Sequence, residues 1–137
     1  MSWRVGFPAK WRFLDDEHEE LGRLLDQLRK LRKEKAGLNA KILATKILQK
    51  LRDHSENEHR LMVEIRYPEY QLHKKVHADI IESIEIVLAL FDRAELSKFD
   101  RHIAQHLENK LTEEIFFDRL LVQFMANMSP APRQDGA

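Results

Sequence analysis

The tightest constraint on this chain is a pair of ligand-type motifs set into apolar helical stripes on either side of a proline. His54 and Glu58 stand four residues apart, as do His73 and His77, and Pro68 lies between the pairs. On a helix that spacing puts both side chains of a pair on one face, within one turn. Imidazole and carboxylate together suit iron, zinc or manganese. Pro68 turns the chain back, so the two faces can meet. Two such pairs on antiparallel neighbours make half of a dinuclear metal site inside a helical bundle.

The rest of the chain supplies helices to carry the site. Met1 to about Phe13 reads as an irregular arm whose tryptophans, Trp3 and Trp11, pack across a bundle end. Helix 1 is expected to start near Asp15-Asp16, where acidic side chains suit the positive end of the dipole. It runs to about Lys35, with Gly37 as its stop. Its stripe is Leu14, Leu21, Leu25 and Leu28, and His18 falls on it. Helix 2 spans about Asn39 to Arg66 with the stripe Ile47, Leu51, His54, Glu58, Leu61, Ile65. Helix 3 starts near Glu69 and reads His73, His77, Ile80, Ile84, Val87, Phe91. A turn within Asp92 to Ser97 leads to helix 4, read as Phe99, Ile103, His106, Lys110, Glu113, Phe117, Leu120, Phe124.

Four amphipathic segments of similar length predict an all-α fold, an antiparallel up-down-up-down four-helix bundle with an N-terminal arm. Residues 1–128 make one domain, and the Pro-containing segment 129–137 is expected to be a disordered tail. At 137 residues the chain suffices for one sizeable core. Lys plus Arg and Asp plus Glu each number 23. That balance argues against nucleic acid or an anionic membrane as the main partner. The chain has no cysteine, hence no disulfide or thiolate site. No apolar run spans a bilayer and no secretory leader is evident, so a cytoplasmic location is expected.

The stripes turn polar at informative places. His18 lies early in helix 1, His54 and Glu58 late in helix 2, His73 and His77 early in helix 3. In an antiparallel bundle these positions share one end and one level. A polar layer in an apolar core is costly unless something satisfies it, and a bound metal does. His59 sits about 100° around the helix from Glu58, beside Arg60, and reads as solvated.

These residues are also where the chain resembles a known family, the hemerythrins, and within it the small single-domain bacterial members. The matches are Leu14-Asp15-Asp16-Glu17-His18-x-x-Leu21, His54-x-x-x-Glu58-x-x-Leu61-Met62, and Tyr67-Pro68 followed by His73-x-x-x-His77. The resemblance implies two non-haem iron ions, oxo- or hydroxo-bridged. It implies that His18 and His54 ligate one iron, His73 and His77 the other, and that Glu58 bridges them. The fourth helix departs from the pattern, in which a His is followed five residues later by a bridging Asp. Five residues after His102 stands Leu107, and five after His106 stands Leu111. Stripe position and level favour His106 as a ligand and Glu113 as the second carboxylate, leaving His102 at the partly exposed edge.

What the resemblance implies for function is reversible binding of dioxygen, or another small diatomic, for storage, delivery or sensing, behind walls formed by Leu21, Leu61, Ile80 and Phe117. The alternative is a diiron enzyme reducing peroxide, nitric oxide or dioxygen. Lys110, on the expected helix 4 stripe, gives that reading its proton donor.

Overall fold

The computed structural model describes residues 3–31, 37–91 and 96–128, with side chains at 3–30, 39–89 and 104–128. Among the described residues every regular element is helical. A single 3-10 turn, Ala9–Trp11, leads into α1 (Arg12–Leu31), followed by α2 (Gly37–Ile65), α3 (Tyr70–Phe91) and α4 (Leu96–Met128). Each helix packs on the next, α4 packs on α1, and α2 also meets α4. None of these helices is long and apolar enough to cross a membrane. The tail 129–137 and residues 92–95 of the expected turn lie outside the described residues.

Two expected boundaries shift. α1 begins at Arg12, ahead of Asp15, and Gly37 opens α2 rather than stopping helix 1. Glycine is tolerated at helix starts as well as past helix ends, so Gly37 alone could not fix which helix it belonged to. Asp15 is free for another task. Its carboxylate accepts the backbone N–H groups of Val5 (2.7 Å), Gly6 (3.1 Å) and Phe7 (2.8 Å), tying the arm to α1. These bonds and the nearby His18 imidazole outweigh the effect of burial and bring the Asp15 carboxyl down to about 2. Gly6 makes the bend at φ +92°, and Gly22 leaves room for the arm's Trp3, whose ring would lie 2.1 Å from a Cβ there.

The apolar interior falls into two parts. One gathers Leu21, Leu25 and Leu28 of α1, Ile47 and Leu51 of α2, Ile80 and Ile84 of α3, and Leu107 and Leu111 of α4. The other gathers Phe7, Leu14, Leu61, Met62, Tyr67, Leu121 and Met125. Between these two groups every helix buries ionisable residues: His18, then His54 and Glu58, then His73 and His77, then Glu114 and Asp118.

The α2–α3 connection sets the spacing of the two central pairs. Tyr67 N–H reaches back to Met62 O at 2.9 Å and Arg66 N–H to Val63 O at 3.2 Å. That six-to-one and five-to-two pattern closes a helix with its penultimate residue left-handed. Arg66 holds that position at φ +56°. Tyr67, turned inward by the closure, packs edge-on against His73 and Phe124. A side chain pays a steric penalty at this φ that glycine does not. Arg66→Gly is therefore expected to raise stability by about 0.5–1 kcal/mol, read as a higher urea midpoint at unchanged slope. A lower midpoint would mean that the exposed Arg66 side chain contributes more than the strain it carries.

Candidate metal centre

Seven ionisable side chains converge between the two apolar groups, and none is more than 2% exposed: His18, His54, Glu58, His73, His77, Glu114 and Asp118. They form two overlapping donor clusters. One comprises His18, His54, Glu58, Glu114 and Asp118; the other comprises His73, His77, Glu58, Glu114 and Asp118. Within each cluster the donor atoms lie no more than 4.8 Å apart. Metal–nitrogen and metal–oxygen bonds of about 2.1 Å put opposite donors about 4.2 Å apart, so the clusters have the dimensions of coordination shells.

All four imidazoles turn Nε2 inward. His18 Nε2 lies 2.6 Å from Asp118 Oδ2 and 3.2 Å from Glu114 Oε2. His54 Nε2 lies 2.9 Å from Glu114 Oε2 and 2.7 Å from Glu58 Oε2. His73 Nε2 lies 2.9 Å from Asp118 Oδ1 and 3.1 Å from Glu58 Oε1. His77 Nε2 lies 2.7 Å from Glu114 Oε1. Several of these approaches are short but not aligned as hydrogen bonds. His77 Nε2, Glu58 Oε2 and Glu114 Oε1 are buried without a hydrogen-bond partner despite such neighbours. A cation placed among these atoms would satisfy them. Buried polar atoms are otherwise nearly always paired.

Two of the outer ring nitrogens, those of His54 and His77, are held by a second set of side chains, whereas Nδ1 of His18 and of His73 is buried without a hydrogen-bond partner. His54 Nδ1–H donates to Glu17 Oε1 at 2.7 Å, and Asn57 Nδ2 steadies the same carboxylate at 2.7 Å. His18 Nδ1 lies 3.6 Å from Asp15 Oδ1. His77 Nδ1 lies 3.2 Å from His59 Nε2, and the two rings stack at 5.3 Å. A ligating imidazole needs such a partner to fix its tautomer and orientation. His59, expected to be solvated, is half-buried against His77 instead.

The electrostatics couple the imidazoles to the carboxylates around them. Burial pushes the Asp118 carboxyl up, Glu114 and Glu58 push it further, and it reaches about 7. Burial alone would lower the imidazoles, yet the surrounding carboxylates outweigh it and raise His18 to about 11, His73 to about 9 and His77 to about 10. His54 is likewise raised well above its ordinary value, and Glu58 and Glu114 are held well below theirs. In the metal-free protein, protons on the imidazoles supply the charge that balances three crowded carboxylates.

The structure brings together five of the seven residues singled out from sequence: His18, His54, Glu58, His73 and His77. His106 and Glu113 are not brought into either cluster. His106 Nε2 lies 3.0 Å from Ser83 Oγ in a half-buried position, and Glu113 is exposed, 3.9 Å from Lys110 Nζ. The His102 side chain lies outside the described residues. The buried face of α4 includes Leu107, Leu111, Glu114, Asp118, Leu121 and Met125, rotated by one residue, about 100°, from the expected stripe. Glu114 and Asp118 were therefore missed. Their four-residue spacing, in phase with Leu107, Leu111 and Leu121, was the signal that could have found them.

No protein-family model matches the chain, and neither a curated protein nor a solved structure matches it.

Protonated imidazoles must release their protons to bind metal. Metal uptake at pH 7 is expected to liberate protons into weakly buffered solution. Apparent affinity should weaken about tenfold per pH unit on acidification for each proton displaced. Uptake with no proton release, and an affinity flat between pH 6 and 8, would contradict this charge assignment.

Proposed function

We propose that the chain is a non-haem diiron protein of the hemerythrin type, an antiparallel up-down-up-down four-helix bundle that binds dioxygen. One observation carries the reading: two overlapping buried clusters, each with two imidazoles, sharing three carboxylates. The alternation of the two apolar groups supports the topology. α1 and α3 pass from the Leu14–Tyr67 group through the polar residues to the Leu21–Ile80 group, and α2 and α4 pass the other way.

Two iron ions held there would supply electrons and vacant coordination positions for a diatomic ligand. His18, His54, His73 and His77 would each present Nε2, while Glu58, Glu114 and Asp118 would neutralise charge between the ions. The protein's further task is to exclude water. Leu21, Leu61 and Ile80 are buried on either side of the layer, and Phe117 packs edge-on against His73. Lys110, the proton donor of the enzymatic alternative, pairs with Glu113 at the helix surface. The observation that still favours reductive chemistry is the carboxylate-rich donor set, since hard anionic oxygen donors stabilise the higher oxidation state of a metal.

Protein reconstituted anaerobically with ferrous iron is expected to retain close to two irons per chain and, on exposure to air, to develop a visible charge-transfer band that disappears on evacuation. Asp118→Ala should lose iron, and Glu113→Ala should keep it. A folded protein that takes up no iron overturns the reading. A band that decays irreversibly with peroxide consumption selects the enzymatic alternative.

A further inference from the structure

The three shared carboxylates are not arranged at random between the imidazole pairs. Each turns one oxygen toward the His18–His54 pair and the other toward the His73–His77 pair, reaching one or both imidazoles of each pair. Glu58 places Oε2 2.7 Å from His54 Nε2 and Oε1 3.1 and 3.2 Å from the Nε2 atoms of His73 and His77. Glu114 places Oε2 2.9 and 3.2 Å from His54 and His18, and Oε1 2.7 Å from His77. Asp118 places Oδ2 2.6 and 3.3 Å from His18 and His54, and Oδ1 2.9 Å from His73.

From this we infer that Glu58, Glu114 and Asp118 all bridge, so that the two metal positions are equivalent, each with two imidazoles and three carboxylate oxygens, and each with one vacant position for a small diatomic ligand. The inference rests on the dinuclear iron reading above. It departs from what the resemblance implies, an oxo- or hydroxo-bridged pair. An octahedral ion takes six donors, and five come from the protein at each position. Three bridging carboxylates fill the places between the ions, where a solvent-derived bridge would otherwise sit. Glu114 is the residue that makes the difference. As a carboxylate it serves both ions, whereas an imidazole there would serve one and leave a bridging place to solvent.

Equivalence has a consequence for ligand binding. A pair with one saturated and one open ion takes a single exogenous ligand. A pair with one vacancy on each ion takes two, so the ligand class is two neutral diatomics per centre. Nitric oxide is the probe, because it binds ferrous ions without needing a proton and its complexes are distinguishable by electron paramagnetic resonance and infrared absorption.

The test uses the full chain loaded anaerobically with ferrous iron, iron content being measured first. Titration with nitric oxide is expected to saturate at two per two irons, with one set of N–O stretches. The oxidised protein in 18O-labelled water is expected to give no isotope-sensitive bridging vibration in its Raman spectrum. Glu114→His, which gives one ion a third imidazole, should bring saturation down to one. Saturation of the unaltered protein at one, or an isotope-sensitive bridge in its spectrum, overturns the inference while leaving the diiron reading intact. Fewer than two irons per chain overturns both. The unaltered protein decides the matter even if Glu114→His does not fold.

Discussion

Everything in this structure depends on a buried layer of four imidazoles and three carboxylates pressed between two apolar groups. Removing seven ionisable groups from water is expensive, and each one left unpaired would cost on the order of several kcal/mol. The layer persists because its charges compensate. Without metal, protons on His18, His54, His73 and His77 offset Glu58, Glu114 and Asp118. A bound cation would displace those protons and take their place. The layer also fixes the helices against one another, because each contributes at one level and none can slide by a turn without stranding its donors among leucines.

The second set of side chains extends that constraint outward. Glu17, Asp15 and His59 stand behind three of the four imidazoles. Asp15 does two things at once, approaching His18 and gathering the arm's backbone N–H groups. Docking of the arm and the surroundings of the His18 imidazole thus share one carboxylate, and Phe7, which the docked arm buries, lies 6.2 Å from the His18 ring.

Much of this was legible in the sequence because it rests on local periodicity. His18, His54, Glu58, His73 and His77 lie on unambiguous stripes of leucine and isoleucine, and a four-residue spacing fixes a helix face. The four helices followed from the same periodicity. α4 was not legible in the same way. It carries two apolar stripes one residue apart, Ile103, Phe117, Leu120 and Phe124 against Leu107, Leu111, Leu121 and Met125, and Phe116 and Leu120 remain exposed. Periodicity alone cannot choose between such stripes; only packing against the other three helices does. The search for a fourth-helix histidine compounded the difficulty, because the buried donors among the described residues of α4, Glu114 and Asp118, are carboxylates. His59 was misplaced for a related reason. Its angle on α2 was read correctly, but the face it lies on is covered by His77 of α3.

The central claim is that seven side chains from four helices form one dinuclear site. Diffraction from crystals of the iron-loaded protein, collected above and below the iron absorption edge, tests it most directly. The account predicts two anomalous peaks per chain, one within bonding distance of His18 and His54 Nε2, the other of His73 and His77 Nε2, with Glu58, Glu114 and Asp118 between them. A single peak, peaks confined to the surface, or a second peak at His106 and Glu113 would contradict it.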